Sequence, residues 1–356
     1  MLKDILCLSE KLVKIESVSS TKKNLKEVIK TVEAELQDFT IERFEKEGFP
    51  SILVYPYKNR PRKFKIILNG HLDVVSGEKG QFVQRRKGNF IYGRGVYDMK
   101  TAAACMVILF NKLARRLAYP IALQLVTDEE IGGFRGTKYQ IEKGVRADFV
   151  LGGEPTNLNI SYASKGVIQI KLIAKGRSTH SAYLWKGENA VLKLHSFIDE
   201  VLRIFPIPSG RRWVTTVNLA KIEVFNHELN KVPEKAEGYL DIRYVKKEKG
   251  KFLKTLKRLA NKYGIKYEFI HDEPAVSVKK HNPFLRKLSE KVKKVTGLVR
   301  FIKSFGSSDI RHFARVGIPG VSFGLKGEGH HSLKERIELE SIEKYYLSLE
   351  EFLASI

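Results

Sequence analysis

The sequence predicts an α/β fold: a mainly parallel central sheet flanked by helices, interrupted by a smaller α+β module of ferredoxin-like character. Three observations carry this expectation. Short β-branched runs alternate with helix-periodic stretches up to residue 163 and again after residue 274, the rhythm of strand–helix units in a parallel sheet. The runs FKIIL at 64–68 and IALQLV at 121–126 are apolar at nearly every position, as strands covered on both faces must be. From about residue 164 the pattern changes, because VIQIKLIA at 167–174 alternates like a strand with one face in water. At 356 residues the chain is also longer than one hydrophobic core usually serves.

The elements follow in order. Helical periodicity runs through the opening segment to Phe39, and the FKIIL strand leads to a helix-like stretch at 99–117 rich in Ala, Leu and Val. Strands at 121–126 and 149–151 come next. In the interrupting module, a strand at 167–174, a helix at 189–204, strands at 214–224 and 238–245, and a helix at 249–263 imply a small antiparallel sheet backed by helices. After Pro274 a helix at 283–296 and a short strand at 320–323 return the chain to the first module. The expected domains are therefore 1–163 and 274–356, two parts of one larger domain, with 164–273 inserted between them. There is no internal repeat and no low-complexity linker.

The longest apolar run, 102–110, is too short to span a bilayer, and the first ten residues read as an amphipathic helix rather than a signal peptide. A cytoplasmic protein without a membrane partner is expected. Cys7 and Cys105 are the only cysteines, so any metal must be held by His, Asp and Glu. The formal charge of +24 is spread along the chain, densest at 58–65, 85–87, 246–258 and 286–303. No zinc-finger spacing, RNP-type aromatic motif or helix-turn-helix accompanies it, which argues against nucleic acid. A solvated lysine-rich surface, or attraction for acidic substrates or partners, accounts for it.

Three clusters of acids and histidines sit just after predicted strands, where open α/β sheets gather their ligands. They are His71-Leu72-Asp73 after FKIIL, Asp128-Glu129-Glu130 after IALQLV, and Glu154 in GGEP after FVL. Asp98 ends the loop GRGVYD that enters the 99–117 helix, and His330-His331 lie near the C-terminus. Imidazole and carboxylate donors suit zinc, cobalt or manganese, and two such ions a few Å apart share a bridging carboxylate and a water. Asp73, two residues beyond His71, is placed to orient its imidazole. Glu129 adjoins a ligand without being needed as one, where a general base belongs. Each piece alone is a common surface feature. Together, at strand ends and glycine turns, they would bury unpaired charge unless metal compensated it.

The series NGHLDVV, YGRGVYDMK, TDEEIGG, GGEPT, GRSTHSAYLWKGENAV, GSSDIRHF and HHSLKERI resembles the co-catalytic zinc family of aminoacylases, acetylornithine deacetylases, succinyl-diaminopimelate desuccinylases and glutamate carboxypeptidases. The resemblance covers nearly the whole chain, in family order. It implies that His71, Asp98 and Glu154 hold one zinc and Asp98, Glu130 and His331 the other, with Asp98 bridging and Glu129 as general base. His331 is preferred to His330 because the family pattern has a Glu four residues after the ligand, where Glu335 stands. A cis peptide is implied at Asp98–Met99. In the inserted domain, expected to act as lid and dimerisation module, the resemblance makes His180 the oxyanion-stabilising histidine, and Asn230 and Arg243 binders of substrate polar groups and carboxylate. Gly306 and Ser307 match a substrate-binding turn. The bland alternatives are that Arg243 pairs with Asp241 and Asn230 caps a turn. The segment between His71 and Tyr92 lacks the family's Trp and Pro pattern, and Phe323-Gly324-Leu325 replaces a common Phe-Gly-Pro, which leaves the substrate open.

The implied reaction is hydrolysis of an amide bond in an N-acyl amino acid, by a deacylase or desuccinylase of amino-acid biosynthesis working as a homodimer. Alternatives are a metallo-carboxypeptidase or dipeptidase, including one that frees lysine or ornithine from an acidic carrier protein. From another class, a non-catalytic protein that binds nucleic acid or acidic surfaces fits the charge.

Overall fold

The structure, a computed structural model, describes residues 1–356, which divide into two compact units: Met1–Ala163 with Ser277–Ser304 and Ser308–Ile356, and Ser164–Val276 with Phe305–Ser307.

In the first unit the central strands Ile121–Val126, Phe64–His71, Ala147–Gly152 and Gly320–Ser322 lie side by side and parallel. The edges are antiparallel, with the hairpin Thr40–Lys46/Phe49–Tyr55 beyond Ile121–Val126 and the strand Ile160–Ser164 beyond Gly320–Ser322. The expected mainly parallel sheet is therefore present, with the antiparallel edges as an addition. Strand Ile121–Val126 is buried at every position, which explains its unbroken apolar run. The helix Lys100–Leu113 is enclosed almost all round, Ala102 to Val107 without interruption, as expected of a helix apolar on every face. A small separate sheet joins strands 85–87, 90–92, 327–328 and 336–338. No helix is long and apolar enough to cross a membrane.

The second unit is a four-stranded antiparallel sheet in the order Thr216–Val224, Lys235–Tyr244, Gly166–Lys175, Ile265–Glu273. In Gly166–Lys175 the buried residues Ile168, Ile170, Leu172 and Ala174 alternate with more exposed ones, matching the sequence pattern. Their core partners are Leu194, Phe197 and Val201 of the helix Ala190–Ile204 and Phe252, Leu256 and Leu259 of the helix Lys249–Tyr263. Each such side chain contributes about 1.5–3 kcal/mol by leaving water. Asn189 starts the first of these helices, its Oδ1 accepting the Val191 and Leu192 amides at 2.9 and 3.2 Å. Gly264 ends the second in the left-handed region. The fourth strand, Ile265–Glu273, is absent from the sequence expectation. It is an edge strand: Ile265 and Tyr267 face the core, but the alternation of IKYEF is short and a register shift between Phe269 and His271 breaks it.

Candidate metal centre

Parallel register builds the centre. His71, the last residue of its strand, pairs with Val126, and Asn69 pairs with Gly152, so His71, the pair Glu129-Glu130 and Glu154 emerge at the carboxyl ends of three adjacent strands. Asp98 is delivered by the loop before the Lys100–Leu113 helix, across a cis peptide at Asp98–Met99. His330 and His331 come from the turn between the short strands 327–328 and 336–338.

His71 Nε2 lies 3.0 Å from Asp98 Oδ1. His331 Nε2 lies 3.2 Å from Asp98 Oδ2 and 3.1 Å from Glu130 Oε2, and His330 Nε2 also touches Asp98 Oδ2. Both histidines thus reach Asp98, and His331 also reaches Glu130. His331 adopts φ +58°, a costly conformation outside glycine. Three overlapping groups, His71 with Asp98 and Glu130, His71 with Glu129 and Glu154, and Asp98 with His330 and His331, each bring ligand atoms within 4.8 Å of one another. Two donors at about 2.0–2.1 Å from one tetrahedral ion lie about 3.3 Å apart, so the observed spacings suit coordination.

The electrostatics point the same way. Burial, then Glu154, push the Glu129 carboxyl well above the usual range. Glu154 is pushed up to about 8 by burial, with His71 opposing and Asp98, Asp309 and Glu130 adding to the rise. Both residues are half-buried, with their carboxyls turned inward. Burial opposes ionisation of Asp98, yet His330, His331 and His71 hold its carboxyl well below the ordinary value. His331 is correspondingly raised to about 10 by Asp98 and Glu130. Burial works against a charged His71, but Asp73 and Asp98 raise it well above the ordinary value. Crowded carboxylates that hold imidazoles protonated form a site where divalent cations can replace those protons. The residue groups are those of a dinuclear metal site.

Neighbouring residues support the centre. His71 Nδ1 lies 3.0 Å from the Asp73 backbone carbonyl and 3.6 Å from its carboxylate. The Asp73 carboxylate also accepts the Glu129 and Glu130 amides at 3.2 and 2.9 Å, so it sets the turn that carries both acids. Glu335 is buried beneath the Asp98 loop, accepting the Gly95, Tyr97 and Asp98 amides on Oε1 and facing Arg94 with Oε2. On the other side, Arg311 and His312 both reach the Gly132 carbonyl, at 2.5 and 2.9 Å, and Thr137 Oγ1 donates to Asp309 Oδ2 at 2.5 Å. A Cβ at Gly133, φ +62°, would lie 1.8 Å from Asp309 Oδ1, so only glycine fits that close approach. Roles for Arg94, Asp309, Arg311 and His312 were not expected from the sequence, where Glu335 served only to mark His331. Ionisable residues inside glycine turns and apolar runs were the available signal.

The second unit holds the other candidates. His180 Nδ1 accepts the Ala182 amide at 3.1 Å, which leaves Nε2 as the N–H, and the ring is exposed. The Asn230 carbonyl accepts the Ser181 amide at 2.8 Å, and Lys231 bridges to His180, so Asn230 and His180 lie on two neighbouring, antiparallel segments. Arg243 is bidentate to Asp241 at 2.6 and 3.1 Å, and Gln169 donates to the same carboxylate at 2.8 Å. Gly306 is exposed, and Ser307 Oγ is buried without a partner.

Comparison with known proteins follows the same lines. A succinyl-diaminopimelate desuccinylase of Erythrobacter litoralis is 29% identical over 297 residues, covering 78% of each chain. One from Nitratiruptor is 27% identical and covers 99% of this chain and all of its own. Among solved structures, aminopeptidase PepT from Bacillus cereus superposes with a TM-score of 0.79 at 19% identity, covering 99% of this chain and 98% of its own. An M20 family metallo-carboxypeptidase, Sso-CP2, from Sulfolobus solfataricus gives 0.76 at 20% identity, with 98% of each chain covered. A dinuclear metal binding M20 peptidase, YXEP, from Bacillus subtilis gives 0.70 at 16% identity, covering 99% of this chain and 98% of its own. With the model of peptidase family M20/M25/M40 matching residues 67–355, the chain belongs to that family of metal-dependent hydrolases of amide and peptide bonds.

Proposed function

We propose that this protein is a two-zinc amidohydrolase that removes the acyl group from an N-acyl amino acid, as its relatives named succinyl-diaminopimelate desuccinylase suggest. The observation that carries this reading is the set of His71, Asp98, Glu130, Glu154 and His331 around an inward-turned Glu129 at adjacent strand ends. His71, Asp98 and Glu154 would hold one ion and Asp98, Glu130 and His331 the other, a donor set of imidazoles and carboxylates that fits zinc. Bound there, the two ions supply Lewis acidity for activating water and polarising the amide carbonyl. Glu129 takes the proton of the attacking water and passes it to the departing amine, leaving a carboxylate and an amine as products. The free Nε2–H of His180 donates to the developing oxyanion. Arg243, steadied by Asp241 and Gln169, keeps N–H groups for a substrate carboxylate, with Asn230, Gly306 and Ser307 contributing polar contacts.

The second unit serves on this reading as lid and dimerisation module. Both of its edge strands expose apolar side chains, Ile222 and Val224 on one and Phe269 and Ile270 on the other. Sedimentation of purified protein tests the dimer. Metal analysis together with N-succinyl, N-acetyl and dipeptide substrates, assayed with zinc or cobalt, tests the reaction. Close to two ions per chain and preference for an N-acyl amino acid are expected; metal-free, inactive protein overturns the reading.

One observation favours a second reading. The +24 charge suits an acidic macromolecular substrate, such as a carrier protein from which a peptidase would release lysine or ornithine. A steep fall of kcat/KM with added salt supports it, and salt independence removes it.

A further inference from the structure

The second unit contains a buried cation that no protein carboxylate contacts. Lys165 sits at the junction of Ile160–Ser164 and Gly166–Lys175, 2% exposed, and its Nζ makes neither a hydrogen bond nor an ion pair. Its close partner is the Phe305 ring, whose centroid is 5.0 Å away. Buried ammonium groups ordinarily find partners, because lost hydration is otherwise not repaid. Lys100, fully enclosed, follows that rule by donating to the carbonyls of Leu12 and Ile15 at 2.8 and 2.7 Å. Lys165 does not. Burial pushes its pKa down, the charge of Glu248 opposing and that of Arg243 adding to the fall. The adjacent backbone is closely packed: a Cβ on Gly166 would lie 2.2 Å from the Tyr244 ring.

A second donor without an ion-pair partner stands at the same ring, and a third lies close by in the chain. The Arg211 guanidinium carbon is 5.3 Å from the Phe305 centroid, and this exposed side chain makes no ion pair. Ser307, two residues after Phe305, has its Oγ buried and unbonded. Trp213 meets Phe305 edge-on at 5.5 Å, so the donors are set beside two aromatic rings. One ammonium, one guanidinium and one hydroxyl match the acceptors of a carboxylate, and the rings suit the methylenes that carry it.

We infer that Lys165, Arg211 and Ser307 around Phe305 form a carboxylate-binding subsite that selects substrates bearing a second carboxylate remote from the scissile amide, as a succinyl group does. The word substrate rests on the amidohydrolase reading above; the anion site itself does not.

The test uses the full-length protein in two assays. Freed of metal with a chelator, it is titrated calorimetrically with succinate and, separately, with inorganic phosphate. Lys165→Met should weaken succinate about ten- to a hundredfold, the range for loss of a charge-assisted contact. Arg211→Gln, at an exposed position that does not threaten folding, should weaken it less, and Lys165→Arg should restore much of it. With metal restored, Lys165→Met should lower the ratio of kcat/KM for N-succinyl over N-acetyl substrates by a similar factor, carried by KM. Unchanged succinate affinity in both charge-removing variants, equal losses on both substrates, or Lys165-dependent phosphate binding tighter than that of succinate overturns the inference. If the wild type cleaves neither substrate, the amidohydrolase reading falls, and the succinate titration still decides the subsite.

Discussion

Removing Glu335 separates loop geometry from metal ligation. Its carboxylate is 2% exposed, with three backbone amides on Oε1 at 2.9, 3.0 and 3.2 Å and Arg94 Nη1 on Oε2 at 2.6 Å. Glu335→Leu leaves the Arg94 side chain, 4% exposed, as an unpaired buried cation, which costs about 3–5 kcal/mol. The freed amides add to that, short of additivity because they share one partner. Burial already raises the Glu335 carboxyl above its ordinary pKa despite the amides and Arg94, so the pair's attraction does not fully repay desolvation. Arg94→Met with Glu335→Leu removes both charges and should recover much of the stability lost by Glu335→Leu alone. It cannot restore the hydrogen bonds that fix the loop.

Tryptophan fluorescence would miss this effect, since Trp185 and Trp213 both lie in the second unit. Amide hydrogen exchange at Gly95, Tyr97 and Asp98 reads it directly. A loss of about 3–5 kcal/mol speeds exchange by about two to three and a half powers of ten. In the double variant these three amides should exchange faster than in the wild type, although the rest of the first unit regains protection. Exchange within about tenfold of wild type in Glu335→Leu, against the expected loss, would refute the reasoning. So would a double variant less stable than the single one.

Other expectations follow from the same geometry. Glu129→Gln should retain both metals and lose about 10²–10⁴ in kcat, measured by metal analysis and turnover; substantial residual activity would remove Glu129 from the base role. Gly133→Ala imposes φ +62° on a residue with a Cβ and drives that atom to 1.8 Å from Asp309 Oδ1. Beyond about 1–2 kcal/mol of backbone cost, it should displace the Glu130 turn and weaken metal binding while the tryptophan-monitored melt stays put; unchanged metal affinity contradicts this. Lys171 and Lys235 hold the Glu237 carboxyl down to about 2. Its folded value lies below the ordinary carboxylate value of about 4.3, so the pairs stabilise the second unit fully above that pH and cease to as pH falls toward 2. In Glu237→Gln, tryptophan-monitored urea unfolding should lose part of its pH dependence across that window, and an unaltered slope counts against the assignment.

The legible parts of the molecule share a physical reason. FKIIL and IALQLV announced themselves because strands buried on both faces must be continuously apolar, and the acids and histidines that follow them fall at the sheet's ligand-gathering edge. VIQIKLIA was legible because helices cover only one of its faces. The strand Ile265–Glu273 was not, since its alternation lasts only over IKYEF before an irregularity between Phe269 and His271 breaks it. Glu335 and Arg94 pair across 241 positions, and Thr137 and Asp309 across 172, separations at which one sequence shows two unrelated polar residues rather than a bond. The Asp241–Arg243 pair, two residues apart on one strand face, could be weighed as a bland alternative because its geometry is local.

The supports also show how the centre meets its own electrostatic difficulty. Asp73 is held by two backbone amides and Glu335 by three, while Arg311 is spent on the Gly132 carbonyl. Fixing acidic turns with amides rather than with lysines or arginines keeps full cations away from Asp98, Glu130 and Glu154. Arg94, the cation under the Asp98 loop, is bound to Glu335. The charge of the ligand carboxylates is thus left for histidine protons or metal ions to neutralise, and the loops can keep their shape while those exchange. Lys165 represents the opposite choice, a cation enclosed without a carboxylate of its own, which is the arrangement a site needs when the carboxylate is to arrive with the substrate.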